Sequence, residues 1–490
     1  VRSYSNDIVI KECWFAAKDD WPATECGSLK VPEDYSNPQG RQVEFPFIII
    51  RALEQNESTV PLVVAGGGGP GGAVGITETD WYTIDDSLWV NWYYSTIDAG
   101  RDLILIDNRG VGSSLPRLDC VEVESANMSL LDKELDQSES IKRAKEALGA
   151  CRHKFEYQGI DISQYHVINA AKDLEGLRIG LGFDQLNVYG ISYGTRVSLV
   201  YERLYPASVR ALILDGIYPQ SVRAYEDDPK RSYEAISRVI EKCRQDDRCY
   251  SRFGKNLNVR LTEYLEKLET SPVTVSVTSP IDYKPIDVIV TPDVFFDSLY
   301  SAVYDEGMIA YLPKYLYAIF EGNTDYLAEL VRDYYVAGIA VDTVDIGAYA
   351  SYACFDEFPF MDMTAAREQL KAYPFQHFSN EKAFDYIKLM CDVWDVPAAP
   401  ADFKESYWID TPVLIYSGEL DPITPAELAK PVTDNARKSW EMVWPNISHG
   451  VMISSTCADL TAEAFLRNPE SDPFVYECSD EKPEFVFEVR

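Results

Sequence analysis

The chain has 490 residues, of which 46% are hydrophobic, and its formal net charge at pH 7 is −34. Because nucleic acids and anionic membrane surfaces repel so acidic a protein, neither is expected as a partner. No apolar run approaches the roughly 20 residues of a membrane span, so no membrane span is predicted. A single hydrophobic core stops growing at about 250–300 residues, and the length of this chain therefore predicts a second structural unit.

The first predicted elements are strands. An antiparallel pair at the edge of a sheet is expected around residues 27–31 and 43–51. The apolar segment 60–65 follows and opens into a glycine-rich loop, G-G-G-G-P-G-G, at residues 66–72. This loop lacks the Lys-Ser/Thr pair of a P-loop, and no G-x-G-x-x-G helix entry follows it. It is therefore not predicted to hold a phosphate.

The next motif is G-I-S-Y-G at residues 190–194, between a strand-like segment and a helical segment that ends before Pro206. G-x-S-x-G in this setting is the nucleophile elbow of the α/β-hydrolases. Its glycines permit a turn tight enough to lift the hydroxyl of Ser192 above the edge of the sheet. By composition alone such a pentapeptide would occur in about one of ten chains of this size. The prediction therefore depends on the strand-like segment before the motif and the helical segment after it. Ser192 is the predicted nucleophile.

A serine nucleophile needs a base, and in this fold the chain order is Ser, acid, His. Of the four histidines, only His377 and His449 follow Ser192. His449 stands on a loop after the strand-like segment 442–444, where such a histidine is expected. His377 lies in an aromatic, helical region and is interpreted as a packing residue. We therefore predict that His449 is the base.

The predicted acid is Asp421, which follows the buried-type strand 413–417 by a few residues. Pro422 prevents a helix from starting there, so the carboxylate is free to hold the imidazole in the required tautomer. The alternative is that Asp421 merely caps the helix that begins near Pro425. Glu419 is then the reserve acid.

Backbone N–H groups are expected to stabilise the developing negative charge. A glycine-rich loop after the third strand of this fold supplies one such donor, and the residue after the nucleophile supplies the other. We predict the N–H of Gly69, or of its neighbour Gly68, together with the N–H of Tyr193.

Strand-like segments alternate with helical patterns, which predicts a mostly parallel, doubly wound sheet of the α/β-hydrolase fold. They are residues 60–65, 103–107, 186–189, 211–215, 413–417 and 442–444. After residue 219 the alternation gives way to helices rich in Tyr, Phe and Leu. We predict a core formed by residues 1–219 and 403–490, interrupted by a mainly helical lid (cap) domain at 220–402.

Three motifs in the chain resemble those of a known family. They are G-G-P-G-G at 68–72, D-N-R-G-V-G-S-S at 107–114 and G-I-S-Y-G at 190–194. Over most of its length the chain resembles the prolyl iminopeptidases, and more closely their secreted relatives, the tripeptidyl aminopeptidases with a C-terminal TAP-like region. The resemblance implies a serine exopeptidase that acts on peptides with a free N-terminus. Prolyl iminopeptidases usually have His before Gly-Gly-Pro-Gly, where this chain has Gly67, so a preference for N-terminal proline is not implied.

An aminopeptidase must hold the free ammonium group of its substrate, which a carboxylate does well at short range. Asp356 and Glu357 follow Cys354 in a stretch that resembles a Cys-x-Asp stretch of the tripeptidyl aminopeptidases. They are the candidate ammonium-binding residues. In a chain this acidic, the alternative is that both carboxylates belong to the solvated surface.

The ten cysteines fall along the chain in close couples. These are Cys13 with Cys26, Cys120 with Cys151, Cys243 with Cys249, Cys354 with Cys391, and Cys457 with Cys478. Such couples predict five local disulfides and hence an oxidising compartment. No C-x-x-C and no zinc-like spacing with His occurs, so neither a metal nor another cofactor is expected. With Val rather than Met as the first residue, we expect a processed protein that is secreted or periplasmic.

Two other functions stay open. A carboxylic ester hydrolase would use the same triad, because the acyl chemistry is shared and the lid decides the substrate. The second is a non-catalytic binding protein on a hydrolase fold, against which the complete set of catalytic residue types argues. The serine at position 192 excludes an aspartate-nucleophile dehalogenase or epoxide hydrolase. The oligomeric state is left open.

Overall fold

The structure, a computed structural model, describes residues 7–15, 23–52, 59–76, 100–340, 344–373, 380–474 and 486–490. The strands in these ranges are β1 (Ile8–Lys11), β2 (Thr24–Pro32), β3 (Gln42–Ile50), β4 (Leu62–Ala65), β5 (Leu103–Ile106), β6 (Leu186–Ile191), β7 (Val209–Asp215), β8 (Val273–Thr278), β9 (Pro285–Val290), β10 (Val413–Gly418) and β11 (Ser439–Trp444).

The α-helices of four residues or more in the same ranges fall into three groups. Before β7 they are Val121–Met128, Gln137–Tyr157, Val167–Gly180 and Tyr193–Leu204. Between β7 and β10 they are Asp228–Gln245, Leu257–Thr270, Pro292–Ala302, Glu306–Ile309, Leu312–Phe320, Thr324–Val331, Ala337–Ala340, Ile346–Asp356, Met363–Ala372 and Asn380–Trp394. After β10 they are Lys430–Thr433 and Thr456–Arg467.

Nine strands form one sheet in the order β1-β2-β3-β5-β4-β6-β7-β10-β11. The pairs from β5 across to β11 are parallel, whereas β1, β2 and β3 join the edge as antiparallel strands. Strands β4, β5 and β10 are buried at every residue, which is typical of parallel strands covered on both faces. The predicted parallel sheet of the α/β-hydrolase fold and the antiparallel pair at its edge are confirmed. Strand β1 was not predicted.

The parallel strands bring the predicted functional loops to one edge of the sheet. The glycine-rich loop follows β4, Ser192 follows β6, Asp421 follows β10, and His449 lies on the loop after β11. Because the carboxyl ends of parallel strands lie at the same edge, these four loops converge there. In open α/β sheets this edge is where ligands bind.

The segment between β7 and β10 contains one hairpin that the prediction of a mainly helical lid did not include. Strands β8 and β9 pair antiparallel, with Val273 opposite Val290 and Val277 opposite Ile286. In β8, Val alternates with Thr and Ser, and the valines at positions 275 and 277 are buried. This period of two is the sequence signal that identifies a half-buried strand.

The same segment contributes to two hydrophobic clusters. One cluster contains Ile236, Leu261 and Phe295, together with buried valines of the hairpin. The other cluster contains Tyr352 and Trp394 from the helices Ile346–Asp356 and Asn380–Trp394, packed with residues of the large sheet. The second half of the segment therefore shares its core with the sheet. The boundaries at residues 220 and 402 stay a prediction.

Four of the five predicted disulfides are formed. They are Cys13–Cys26, Cys120–Cys151, Cys243–Cys249 and Cys354–Cys391. The fifth predicted pair includes Cys478, which lies outside the described residues. Disulfides of this number are typical of proteins that mature in an oxidising compartment.

Candidate active site

Ser192 occupies a strained turn between β6 and the helix Tyr193–Leu204. Its φ and ψ are 54° and −124°, in a region that residues with a side chain rarely adopt. Its N–H donates to the carbonyl oxygen of Asp215 on the neighbouring strand over 2.9 Å. Strain of this kind costs about 1–3 kcal/mol and persists where the surroundings fix the backbone, which is common at active sites. The turn holds the Ser192 side chain at the carboxyl edge of the sheet.

The two glycines of the motif are required by close backbone approach. A Cβ at position 190 would lie 2.4 Å from the carbonyl oxygen of Gly194, and one at position 194 would lie 2.8 Å from that of Gly66. The elbow therefore packs directly on itself and on the glycine-rich loop. The G-x-S-x-G spacing has a steric cause in this chain.

His449 and Asp421 are hydrogen-bonded to each other. The distance from His449 Nδ1 to Asp421 Oδ2 is 2.7 Å, and Asp421 is only 1% exposed. The other carboxylate oxygen accepts the N–H groups of Ile423 and Thr424 at 2.9 and 2.8 Å. The Thr424 hydroxyl donates to Oδ2 over 2.8 Å. The carboxylate thus both orders its own loop and holds the imidazole.

The charges of the pair shift both pKa values toward the ionised forms. Burial opposes ionisation of Asp421, but His449 and the hydrogen bonds from Thr424 and Ile423 outweigh it and lower the pKa of the carboxyl group. Burial likewise lowers the pKa of His449, yet Asp421 raises it by more, so the net pKa of the imidazole lies above its usual value. An imidazole held in this way accepts a proton readily.

Glu419, the reserve acid, is directed elsewhere. Its carboxylate pairs with Lys242 at 2.9 Å and accepts the N–H of Asn446 at 2.8 Å. It therefore ties the loop after β10 to the loop after β11 at the surface. His377, the alternative base, lies outside the described residues.

Asp215 is a buried acid near His449 that the sequence reasoning missed. It ends β7 fully buried and accepts the N–H groups of Val451 and Met452 at 2.8 and 2.9 Å, as well as the Tyr189 hydroxyl at 2.9 Å. Burial raises the pKa of Asp215, and these three donors only partly offset that shift. Asp215 fixes the chain directly after His449. The sequence feature that could have identified Asp215 is an acidic residue at the end of a largely apolar strand.

A cavity of about 350 Å³ lies over these residues. Its lining residues are Gly68, Gly69, Ser192, Tyr218, Tyr225, Asp228, Arg231, Tyr304, Ile423, Thr424 and His449. The structure thus brings together the predicted nucleophile, the predicted base and both glycines that were considered as donors. A Cβ at Gly68 would lie 3.7 Å from Ser192 Oγ. Tyr193 begins the helix after Ser192, and its side chain is buried beneath the site.

Asp356 and Glu357, the predicted ammonium-binding residues, are not among the described residues that line this cavity. Asp356 is 0% and Glu357 2% exposed, so neither belongs to the solvated surface. Asp356 accepts from the Tyr193 hydroxyl and pairs with Arg196 at 3.1 Å. Glu357 pairs with Arg196 at 2.8 Å and with Lys404 at 2.6 Å. The two acids are held by buried cations, because an unpaired charge at such depth would be costly.

Asp228 is the one acidic residue among the described residues that line the cavity. It lies at the start of the helix Asp228–Gln245 and forms an ion pair with Arg231 one turn later. Burial raises the pKa of Asp228 to about 6, although Arg231 opposes the shift. Nothing in the local sequence separates this acid from the many others in the chain. Sequence reasoning therefore had no signal that would select it.

Two family models match the chain. The model described as "alpha/beta hydrolase fold" matches residues 61–245, which include the glycine-rich loop and Ser192. The model described as "TAP-like protein" matches residues 376–478, which include Asp421 and His449. The chain has the α/β hydrolase fold. Within the described residues of this α/β hydrolase, no helix has the length and apolar character needed to cross a membrane.

Relatives of this α/β hydrolase are named as peptidases. The tripeptidyl aminopeptidase of Streptomyces lividans is 25% identical over 482 residues, which cover 95% of this chain and 86% of that protein. Serine protease Hip1 of Mycobacterium bovis is 24% identical over 473 residues, covering 92% and 87%. The solved proline iminopeptidase of Mycobacterium smegmatis is 12% identical with a TM-score of 0.40, covering 90% and 98%. This α/β hydrolase is an enzyme, a serine hydrolase of the peptidase type.

Proposed function

We propose that this α/β hydrolase is a secreted serine aminopeptidase that cleaves peptides near their free N-terminus through Ser192, His449 and Asp421. The observation that carries the proposal is the buried Asp421–His449 pair, whose imidazole lines the same cavity as Ser192. The names of the relatives support a peptidase with tripeptidyl aminopeptidase chemistry. The four disulfides support an oxidising compartment.

The proposed reaction proceeds through an acyl-enzyme. His449 takes the proton of Ser192 while the serine oxygen attacks the carbonyl carbon of the substrate. Asp421 holds the imidazole by its Nδ1–H and stabilises the imidazolium that forms. The N–H groups of Gly69 and Tyr193 are proposed to bind the oxyanion, with Gly68 as the alternative within the loop. His449 then returns the proton to the leaving amine, and water hydrolyses the acyl-enzyme by the same steps.

Asp228 is the proposed partner of the substrate ammonium group. It replaces Asp356 and Glu357 in this role, since Asp228 lines the cavity and those two carboxylates are not among its described lining residues. A carboxylate and an ammonium group form a charge-assisted hydrogen bond, about twice as strong as one between neutral groups. A substrate whose N-terminus is acetylated would lose that bond.

Hydrolysis of a small panel of substrates tests the proposal. The panel contains aminoacyl and tripeptidyl chromogenic amides with free and with acetylated N-termini, beside short p-nitrophenyl esters. We expect turnover of the free-amine peptides, little turnover of the acetylated ones, and complete loss with Ser192→Ala. Ser251→Ala, at an exposed position that is not part of the cavity lining, is the matched control and should behave as the wild type. Turnover of the esters alone would replace the peptidase with a carboxylic ester hydrolase.

A further inference from the structure

Arg231 lines the cavity and carries buried donors that no described protein atom accepts. The residue is 4% exposed and lines the cavity wall. Its Nη2 donates to Asp228, whereas its Nε and Nη1 have no hydrogen-bond partner among the described residues. A guanidinium stays charged at any pH at which a protein is folded, so these N–H groups always need an acceptor.

Tyr218 presents a further donor of the same kind. Its hydroxyl is buried and without a partner among the described residues, and its ring lines the same cavity. The guanidinium of Arg196 lies 4.0 Å from the centre of the ring on the side of the buried ion pairs. Donors left unmet at such depth are costly and rare in folded proteins. The wall formed by Arg231 and Tyr218 therefore has the chemistry of a site for an acceptor oxygen.

We infer that Arg231 and Tyr218 bind a backbone carbonyl oxygen of the substrate that lies on the N-terminal side of the scissile bond. This inference rests on the proposed function, in which the scissile carbonyl is already held by the glycine-rich loop and Tyr193. The acceptor is the carbonyl oxygen of the first residue, whose ammonium group binds Asp228.

The ammonium group and the carbonyl oxygen of the first substrate residue are close enough to bind the two members of one ion pair, Asp228 and Arg231. Within a residue the amino nitrogen and the carbonyl oxygen are roughly 3 Å apart. A carboxylate and a guanidinium in contact, as in Asp228 and Arg231, can therefore receive both groups of the same residue. The substrate class that satisfies this wall is a peptide with a free N-terminus and at least two residues before the scissile bond. An aminoacyl amide has only its scissile carbonyl and leaves these donors unmet.

A cycle of enzyme and substrate variants tests the inference. The substrates are a tripeptidyl chromogenic amide and its analogue in which an E-alkene replaces the bond between the first and second residues. The enzymes are the wild type, Arg231→Gln and Tyr218→Phe. Arg244→Gln is the matched control, because Arg244 lies on the same helix but pairs with Glu241 at the exposed surface. Thermal unfolding establishes that each variant is folded.

We expect the wild type to prefer the amide over the alkene in kcat/KM by at least about tenfold, as for loss of a hydrogen bond to a charged donor. Arg231→Gln should lose most of this preference, Tyr218→Phe part of it, and Arg244→Gln none. A preference that Arg231→Gln retains in full would overturn the inference. If Arg231→Gln does not fold, equal kcat/KM of the wild type for amide and alkene overturns it instead. Failure of the proposed function is distinct, since the wild type would then hydrolyse neither peptide and only the p-nitrophenyl esters.

Discussion

Replacing Asp421 by Asn changes a single atom of the carboxylate that holds His449. Oδ1 would keep the N–H groups of Ile423 and Thr424, which donate to it at 2.9 and 2.8 Å. The new amide nitrogen would then occupy the place of Oδ2, 2.7 Å from His449 Nδ1. Because that nitrogen is a donor, Nδ1 must become an acceptor, and the ring proton moves to Nε2. The imidazole can then no longer take the proton of Ser192.

We expect Asp421→Asn to lower kcat by ~10⁴ with the fold intact, as is typical when an imidazole is held in the wrong tautomer. This corresponds to about 5 kcal/mol of lost transition-state stabilisation. Asp421 also raises the pKa of His449 against the effect of burial. Without the carboxylate the pKa of His449 falls, so the acid limb of the remaining activity should move to lower pH. Steady-state kinetics on a tripeptidyl amide across the pH range measure both effects.

Glu419→Gln is the matched control, since the residue lies two positions earlier on the same loop. Its side chain is 41% exposed and pairs with Lys242 at the surface, where an ion pair contributes about 0–1 kcal/mol. We expect kcat within about twofold of the wild type, because the Gln amide oxygen can still accept the N–H of Asn446 and the lost ion pair is weak. A loss in Glu419→Gln equal to that in Asp421→Asn, or an Asp421→Asn enzyme that keeps a tenth of the wild-type kcat, would refute the assigned role of Asp421.

The remaining predictions concern stability and pH. Asp215→Ala removes the acceptor of two hydrogen bonds from the loop after His449 and of one from Tyr189 on β6. Urea unfolding should therefore show a loss of about 2–4 kcal/mol together with reduced kcat, and an unchanged midpoint would contradict this role. Gly190→Ala forces a Cβ to 2.4 Å from a carbonyl oxygen, and its thermal midpoint should fall more than that of Gly149→Ala, where a Cβ meets nothing within 4 Å. The kcat/KM for peptides should fall toward acid pH, because in the free enzyme His449, whose pKa is raised, must be neutral and Asp228, with a pKa of about 6, must be ionised. The kcat/KM for esters should show only the fall that is due to His449. Identical pH profiles for peptides and esters would exclude Asp228 from substrate binding. Replacing Cys354 and Cys391 together by Ala opens a link across 37 residues and should cost about 2–4 kcal/mol in the same unfolding assay, whereas no loss would mean that the disulfide does not stabilise the fold.

The sequence predicted the parts of the molecule that depend on local patterns. Apolar segments that end in loops containing Gly, Pro or Asp predicted the strands β4, β6 and β10. A buried parallel strand is a continuous apolar run that ends abruptly, which makes it recognisable in the sequence. The chain order of serine, acid and histidine in this fold then selected Ser192, Asp421 and His449 as candidates. The disulfide couples were found by proximity alone, since pairs such as Cys243 and Cys249 lie six residues apart.

The parts that escaped prediction depend on contacts between distant segments. Asp356 and Asp228 are both acids on helices of the insertion, and only the fold decides which one faces the cavity. The helix that carries Asp356 packs on the sheet, 160 residues from its partner Arg196 in sequence. Asp215 acts on a loop 236 residues further along the chain. Such pairings are set by tertiary packing, which single-sequence periodicity does not encode.

The division of the cavity wall between two parts of the chain has a consequence for specificity. Ser192, His449 and the glycine-rich loop are supplied by the ends of sheet strands, whose positions are fixed by backbone hydrogen bonds across β4, β6, β7 and β10. Asp228, Arg231 and Tyr304 come from the segment after β7, and they face the same cavity. Changes in that segment can therefore alter which acyl group is accepted without disturbing the nucleophile. Under the proposed function, the ends of the sheet strands would supply the acyl chemistry, and the helix Asp228–Gln245 would select a peptide with a free N-terminus over a simple ester.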